Sequence, residues 1–247
     1  MTESAFHQRL THLNFLSSEE LAEIQNIFSR TEESAAGELL VVEEQEMSRV
    51  RIIDSGWAYR YKSFRDGRRQ ILNFLVPGDV IGFYSLMFEH SDYGVEALTK
   101  LDVNFCSSGQ LAEALSTRPR LSLAMSWCAG QSERMLNEHV TRLGRRQAAE
   151  RMAHLFVELH FRLRQAGFEG NESCHLPLTQ VVIADALGMS HVHANRSFKK
   201  LLKEESVELR EGGVQILDIR RLALQARFER GYLKNSCVPE STLAAIE

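Results

Sequence analysis

The sequence predicts an α+β fold in parts. An antiparallel β-roll of jelly-roll kind covers 1–118, a long helix 119–145, a winged helix-turn-helix 146–233 and a short tail 234–247. Three observations predict it. Short β-rich runs recur between Leu39 and Cys106 with turn residues between them; proline is absent between Pro119 and Pro177; and Ile183-Ala-Asp-Ala-Leu-Gly-Met-Ser190 separates two amphipathic segments at Gly188.

Composition sets the bounds. A chain of 247 residues, 44% hydrophobic and 25% charged, can bury a core of one or two domains. It has no basic leader ahead of an apolar run, and no stretch approaches the roughly 18 apolar residues of a membrane span, so a cytoplasmic location and no membrane partner are expected. Cys106, Cys128, Cys174 and Cys237 form no C-x-x-C pair, which predicts reduced thiols and no zinc or iron–sulfur site. Charge is uneven. Residues 141–234 carry 16 Lys and Arg against 11 Asp and Glu, a surplus of 5, which leaves −9 on the rest for a net −4. A basic C-terminal module sits on an acidic body.

At the N-terminus Leu13, Phe15, Leu21, Ile24 and Phe28 suggest a short helix, with Ser17 or Ser18 before Glu20 as its cap. The period then changes. Val50-Arg-Ile-Ile53, Trp57-Ala-Tyr-Arg-Tyr61, Gln70-Ile-Leu-Asn-Phe-Leu-Val76, Val95-Glu-Ala-Leu98 and Asp102-Val-Asn-Phe105 are predicted strands, punctuated at Asp54-Ser-Gly56, Arg65-Asp-Gly67 and Pro77-Gly-Asp79. Short strands at this spacing suit an antiparallel barrel or jelly roll.

From Arg120 to about Gln165 the pattern is helical, broken only at Gly130 and Gly144. Leu121, Met125, Cys128, Ser132, Met135 and His139 step by four and three. Such a stripe is either the seam of a homodimer or a face packed on its own barrel. Met152, Phe156, Leu159 and Leu163 mark the apolar face of the helix that opens the basic module.

In that module Thr179 caps a predicted helix to Leu187, with Val182, Ile183 and Leu187 inward and Ala184 small enough for close helix approach. Gly188 ends it, and Ser190 caps a second helix to about Lys203. Ala194, Phe198, Leu201 and Leu202 form its core face, with His191, Asn195 and Lys199 outward. Helix, three-residue turn and helix make a helix-turn-helix. Residues 207–217 alternate across Gly212-Gly213, the pattern of a tight hairpin or wing.

These residues resemble the Crp/Fnr family of bacterial transcription regulators along nearly the whole chain. Ala148-Ala-Glu-Arg-Met-Ala-His-Leu-Phe156 resembles the family's first DNA-domain helix, and Ile183 to Ser190 with Arg196 and Leu201 resembles its helix-turn-helix signature. Gly56-Trp57, Asp66-Gly-Arg-Arg-Gln-Ile71 and Pro77-Gly-Asp-Val-Ile-Gly82 resemble its sensory β-roll, which has a cyclic-nucleotide-binding fold. The resemblance implies a homodimer that regulates transcription on double-stranded DNA, with RNA polymerase as a further partner.

A helix fits the major groove of B-DNA and reads it with its N-terminal residues, here Ser190, His191, Val192, His193, Asn195 and Arg196. Arg196 matches the family's contacting arginine, and its planar fork suits guanine or phosphate. Lys199, Lys200 and Lys203 are expected on the phosphate backbone, and Thr179 joins the DNA-facing set.

The chain also departs from the family. Val192 stands where well-known members carry glutamate, and His191 where some carry arginine, so their operator sequences do not transfer. His191 and His193 diverge by about 200° on a helix and do not suggest a metal site. Gly82-Phe83 and Tyr93-Gly94 replace the polar pairs that hold ribose and phosphate in cyclic-AMP-binding members. A bound nucleotide would leave buried polar groups unpaired, at about 1–3 kcal/mol each, so cyclic AMP is not expected. No cysteine precedes Cys106, so the oxygen-sensing iron–sulfur cluster of another branch is not expected either. Gly82, Phe83, Tyr84, Tyr93 and Gly94 are the candidate effector pocket, with Phe88 nearby; such aromatics also serve simply as core. No nucleophile elbow, P-loop or H-E-x-x-H pattern suggests an enzyme. The alternative to a regulator is a protein-interaction adaptor of the same fold that has lost specific DNA binding, to which Val192 points.

Overall fold

The computed structural model of the protein describes residues 4–168, 174–234 and 238–246, so Cys237 lies outside the described residues. The chain forms two compact units. Residues 1–60, 74–134 and 234–247 make the first, and residues 61–73 and 135–233 the second. Three features differ from the boundaries expected from sequence. The division falls inside the long helix, the 61–73 segment of the β-roll belongs to the second unit, and the tail belongs to the first.

The first unit opens with helices α1 (Ala5–Thr11) and α2 (Ser18–Ile27). Ser17 Oγ accepts the Glu20 N–H at 3.2 Å while Glu20 Oε2 accepts the Ser17 N–H at 2.7 Å, a reciprocal capping box that fixes the start of α2. Strands β1 (Arg30–Ser34), β2 (Leu39–Val41), β3 (Arg49–Ser55), β4 (Ala58–Ser63), β5 (Arg69–Leu75), β6 (Val80–Ile81), β7 (Gly94–Ala97) and β8 (Leu101–Ser107) follow, with a 3-10 turn at Phe83–Leu86. They form two four-stranded sheets, β1-β8-β3-β6 and β2-β7-β4-β5. β3 runs antiparallel to β8 with Ile52 opposite Asn104, and β1 runs antiparallel to β8 with Glu32 opposite Val103.

Helix α3 (Ser108–Thr117) leads to α4 (Pro119–Arg145). α4 passes unbroken through Gly130 and Gly144, where the sequence suggested interruptions. A glycine in a helix interior costs about 1 kcal/mol relative to alanine, too little to stop a helix held by packing. Leu121, Ala124, Met125 and Cys128 of α4 join one buried cluster with Phe6 and Leu10 of α1, Val50 of β3 and Cys106 of β8. Val238 of the tail completes this cluster, and Leu243 of the short helix α9 (Glu240–Leu243) packs against it.

This arrangement corrects the proposed dimer seam. Leu121, Met125, Cys128, Met135 and His139 are all buried in their own chain, and Ser132 is half-buried. The stripe is therefore the face by which α4 packs on its own protomer. Its period marks a buried face without specifying what covers it.

The second unit contains α5 (Ala148–Gln165), β9 (Cys174–Leu176), α6 (Gln180–Leu187), α7 (His191–Lys203), β10 (Val207–Arg210), β11 (Gly213–Ile216) and α8 (Ile219–Ala226). α5 packs against α6, α7 and α8. Its Met152, Phe156, Leu159 and Leu163 are buried, and Phe156 meets Phe198 of α7 edge to face at 6.3 Å. A buried polar network lies beside this core. Glu158 Oε2 accepts a hydrogen bond from Tyr232 Oη at 2.7 Å and faces Arg142 Nη1 at 3.4 Å, while Arg142 Nη2 donates to His139 Nδ1 at 3.0 Å. Paired in this way, the Arg142 and Glu158 charges tolerate burial that would be costly for either alone.

Candidate nucleic-acid interface

The local chemistry of α6 and α7 sets the interface. Thr179 Oγ1 accepts the Val182 N–H at 3.3 Å and caps α6. Gly188 ends that helix with φ 59°, a left-handed conformation that glycine adopts without a Cβ penalty. Ser190 Oγ accepts the His193 N–H at 3.3 Å and opens α7. Ala194, Ser197, Phe198 and Leu201 are buried and Leu202 is half-buried, so helical periodicity turns the remaining side chains outward.

Thr179, Ser190, His191, Val192, His193, Asn195, Arg196, Lys199, Lys200 and Lys203, the whole set singled out from sequence, are exposed, as are Val181 and Gly188. Among the described residues Arg196, Lys199, Lys200 and Lys203 make no ion pair, so their positive charge faces solvent unneutralised. The unsatisfied N–H groups of the first turn of α7 and its helix dipole add to that positive field. Val192 is 71% exposed. An apolar, β-branched side chain in this otherwise polar first turn has little to gain from water.

β10 and β11 form the wing beside this surface, in a sheet of order β10-β11-β9. Val214 pairs with both Leu209 and Leu176. Gly212 turns the hairpin with φ 78°, and a Cβ on Gly213 would lie 2.0 Å from the Leu176 carbonyl oxygen. Both glycines are therefore required, the first by conformation and the second by close backbone approach.

The first unit holds a separate small cleft, open to solvent. Of the five residues proposed for an effector pocket, Phe83 and Tyr84 line it. Tyr93 lies buried beneath Arg60, with the guanidinium carbon 4.3 Å from the ring centroid, and Gly82 and Gly94 are not among the lining residues. Phe88 is 60% exposed, so it belongs to neither the core nor the cleft. Met125, Cys128 and Ser132, assigned from sequence to a dimer seam, form part of the wall instead. Arg60 and Arg9 also line the cleft and were not anticipated. The available signal was a charged residue interrupting the apolar run Trp57-Ala-Tyr-Arg-Tyr61. Burial pushes the Cys106 thiol up to about 12 and raises that of Cys128, which favours the protonated form of both.

Residues 31–118 match the model of the cyclic nucleotide-binding domain, and residues 150–224 that of the Crp-like helix-turn-helix domain. The chain is 32% identical over 187 residues to the transcriptional activatory protein AadR of Rhodopseudomonas palustris, an alignment covering 74% of this chain and 76% of that one. It is 29% identical over 208 residues to the nitrogen fixation regulation protein FixK of Bradyrhizobium diazoefficiens, covering 84% and 86%. The solved structure of FixK2 from Bradyrhizobium japonicum shares the fold with a TM-score of 0.72 at 23% identity, covering 79% of this chain and 96% of that one. A CRP/FNR-family regulator of Thermus thermophilus does so with a TM-score of 0.66 at 20% identity, covering 82% and 100%. The relatives named AadR and FixK are regulators, and the matched helix-turn-helix domain includes the exposed basic face of α7. The protein is a transcription regulator rather than an enzyme, and it belongs to the Crp/Fnr family.

Proposed function

We propose that the protein binds an inverted-repeat operator in double-stranded DNA as a homodimer and meets RNA polymerase at the promoters it controls. The observation that carries this reading is the outward face of α7, where Arg196 and three lysines stand without ion-pair partners among the described residues. In the major groove Arg196 suits a bidentate contact with guanine, and exposed Val192 suits packing on a thymine methyl group. The lysines supply sequence-independent affinity through phosphates.

Dimerisation through the outer face of α4 is supported by Leu136 and Val140, which are 44% and 63% exposed and lie one helical turn apart. Two-fold symmetry would place the two α7 helices in successive major grooves about 34 Å apart. Selection of binding sites from random duplex DNA tests this. The expected product is an inverted repeat with half-site centres about 10–10.5 bp apart. Selected sequences without a repeat would overturn the dimeric reading.

The β-roll is proposed to answer to a signal other than a cyclic nucleotide. Among the described residues no carboxylate lines its cleft to accept a ribose hydroxyl, and Val80, Met125, Cys128 and Ala129 give part of the wall an apolar surface. The Ser132 hydroxyl already donates to the Cys128 carbonyl at 3.1 Å. On this reading a ribose hydroxyl would lack a carboxylate acceptor in the cleft. Nor is an iron–sulfur cluster part of this reading, since the four cysteines form no closely spaced set.

A further inference from the structure

We propose that the cleft of the first unit is a receptor for a small organic monocarboxylate with an apolar body. The inference rests on the reading of the β-roll as a ligand-responsive domain and gives that ligand a chemical class. Three buried groups motivate it. Arg60 Nε, Tyr93 Oη and Ser85 Oγ have no hydrogen-bond partner; Arg60 lines the cleft, Tyr93 lies beneath Arg60, and Ser85 belongs to the 3-10 turn whose Phe83 and Tyr84 line it. Buried polar groups are almost always satisfied, and each one left unmade opposes folding. Of the three, the Arg60 guanidinium lines the cleft itself, and its Nε lacks an acceptor there.

Charge narrows the ligand. The other cation of the cleft, Arg9, is already committed: its Nη1 donates to Asp79 Oδ1 at 3.0 Å and to the Gly78 carbonyl at 3.2 Å. Arg60 has no ion-pair partner among the described residues and is held over the Tyr93 ring at 4.3 Å. Stacking on an aromatic face fixes a guanidinium in plane, which readies its edge for a carboxylate. One cation without an ion-pair partner among the described residues balances a single negative charge, whereas a phosphate dianion calls for more.

The remaining wall selects the body of the ligand. Phe83 and Tyr84 stand on one side and Met125 and Ala129 on the other, so the part of the ligand away from the carboxylate meets hydrocarbon. A few polar groups fixing one end of an apolar molecule is the usual composition of a small-ligand site.

The test uses the full chain with hexanoate and phenylacetate as probes and hexanamide and phenylacetamide as neutral partners of the same shape. A ligand that binds only the folded state raises its melting temperature. Both quantities are read in parallel: melting temperature with each probe, and anisotropy of a labelled operator duplex. At least one carboxylate should raise the melting temperature by several degrees while its amide does not. Arg60→Met should abolish the shift, Arg60→Lys should restore part of it, and Tyr93→Phe should weaken the apparent affinity several-fold. If Arg60→Met does not fold, Arg60→Lys and Tyr93→Phe carry the comparison. Equal shifts from acid and amide, no shift from either acid, a shift that survives Arg60→Met, or a larger shift from cyclic AMP would each overturn the proposal. Operator binding by the wild type separates such a failure from failure of the DNA-binding reading.

Discussion

Arg69 Nε donates to Asp185 Oδ2 at 2.8 Å, joining strand β5 to the first helix of the helix-turn-helix across 116 positions of sequence. The next residue strengthens the link, because Gln70 Nε2 donates to the Ala186 carbonyl at 3.2 Å. This pair explains why residues 61–73 belong with the second unit. Both side chains are about three-quarters buried, with 28% and 22% exposed, so the pair should contribute on the order of 1 kcal/mol. A double-mutant cycle of Arg69→Ala and Asp185→Ala, followed by urea unfolding, should return a coupling of about that size. Strict additivity would show that the contact carries no energy.

The buried network of the second unit should be intolerant of single changes and tolerant of paired ones. Glu158→Leu leaves Arg142, only 2% exposed, without its carboxylate and should cost about 3–5 kcal/mol. The double variant Arg142→Met, Glu158→Leu should recover much of that loss, since two apolar side chains of similar volume replace two desolvated charges. Tyr232→Phe removes one hydrogen bond to the carboxylate and should cost about 1–3 kcal/mol. Urea midpoints of the three variants check this order.

Stability should fall as the medium is acidified below neutrality. Burial and the nearby Arg142 push His139 down to about 3. Burial, Arg142 and Arg146 push His154 down to about 2, although Glu138 Oε1 lies 3.1 Å away, because that oxygen is shared with Arg146 at 2.9 Å. Burial, Arg164 and Arg230 push His160 down to about 4. In each case the unfolded imidazole, with a pKa near 6.5, binds a proton that the folded one refuses. The unfolded state is therefore favoured increasingly from about pH 6.5 down to about pH 4, with each histidine adding a slope of up to about 1.4 kcal/mol per pH unit. Thermal unfolding between pH 8 and pH 4 checks this, and His154→Phe should flatten the dependence.

The two faces of α4 should respond differently to charge. Leu136→Glu with Val140→Glu should give monomers in sedimentation with an unchanged melting profile, because both side chains are exposed in the protomer. Met125→Glu should instead unfold the first unit, since Met125 is 1% exposed within the cluster it shares with Phe6 and Val50.

Legibility followed how local the determining physics was. α7 runs from His191 to Lys203 as its Ser190 cap and apolar period predict, because capping and helical spacing act within a few residues. β1, with sequence Arg-Thr-Glu-Glu-Ser, carries no apolar alternation and becomes a strand only by pairing with β8. α4 shows the limit of periodicity: the stripe from Leu121 to His139 is real, yet its covering was legible only after the barrel and α1 were in place. Arg60 escaped notice for the same reason, since the cleft that gives it meaning is walled in part by α4, more than sixty positions away. On α5, His154, Glu158, His160 and Arg162 are buried although helical spacing marks only Met152, Phe156, Leu159 and Leu163 as the inward face, and the Glu158 partners Arg142 and Tyr232 lie on other elements.

The measurement that bears most directly on the DNA-reading role of α7 is the binding of wild type and Arg196→Ala to two labelled duplexes, the selected operator and a scrambled sequence of equal length. Arg196 is exposed and, among the described residues, unpaired, so its loss should leave the fold intact. The variant should lose about 1–3 kcal/mol on the operator and distinctly less on the scrambled duplex, while Lys200→Ala should weaken both to a similar degree. An Arg196→Ala variant that binds the operator as tightly as wild type would contradict the assignment of α7 as the helix that reads sequence.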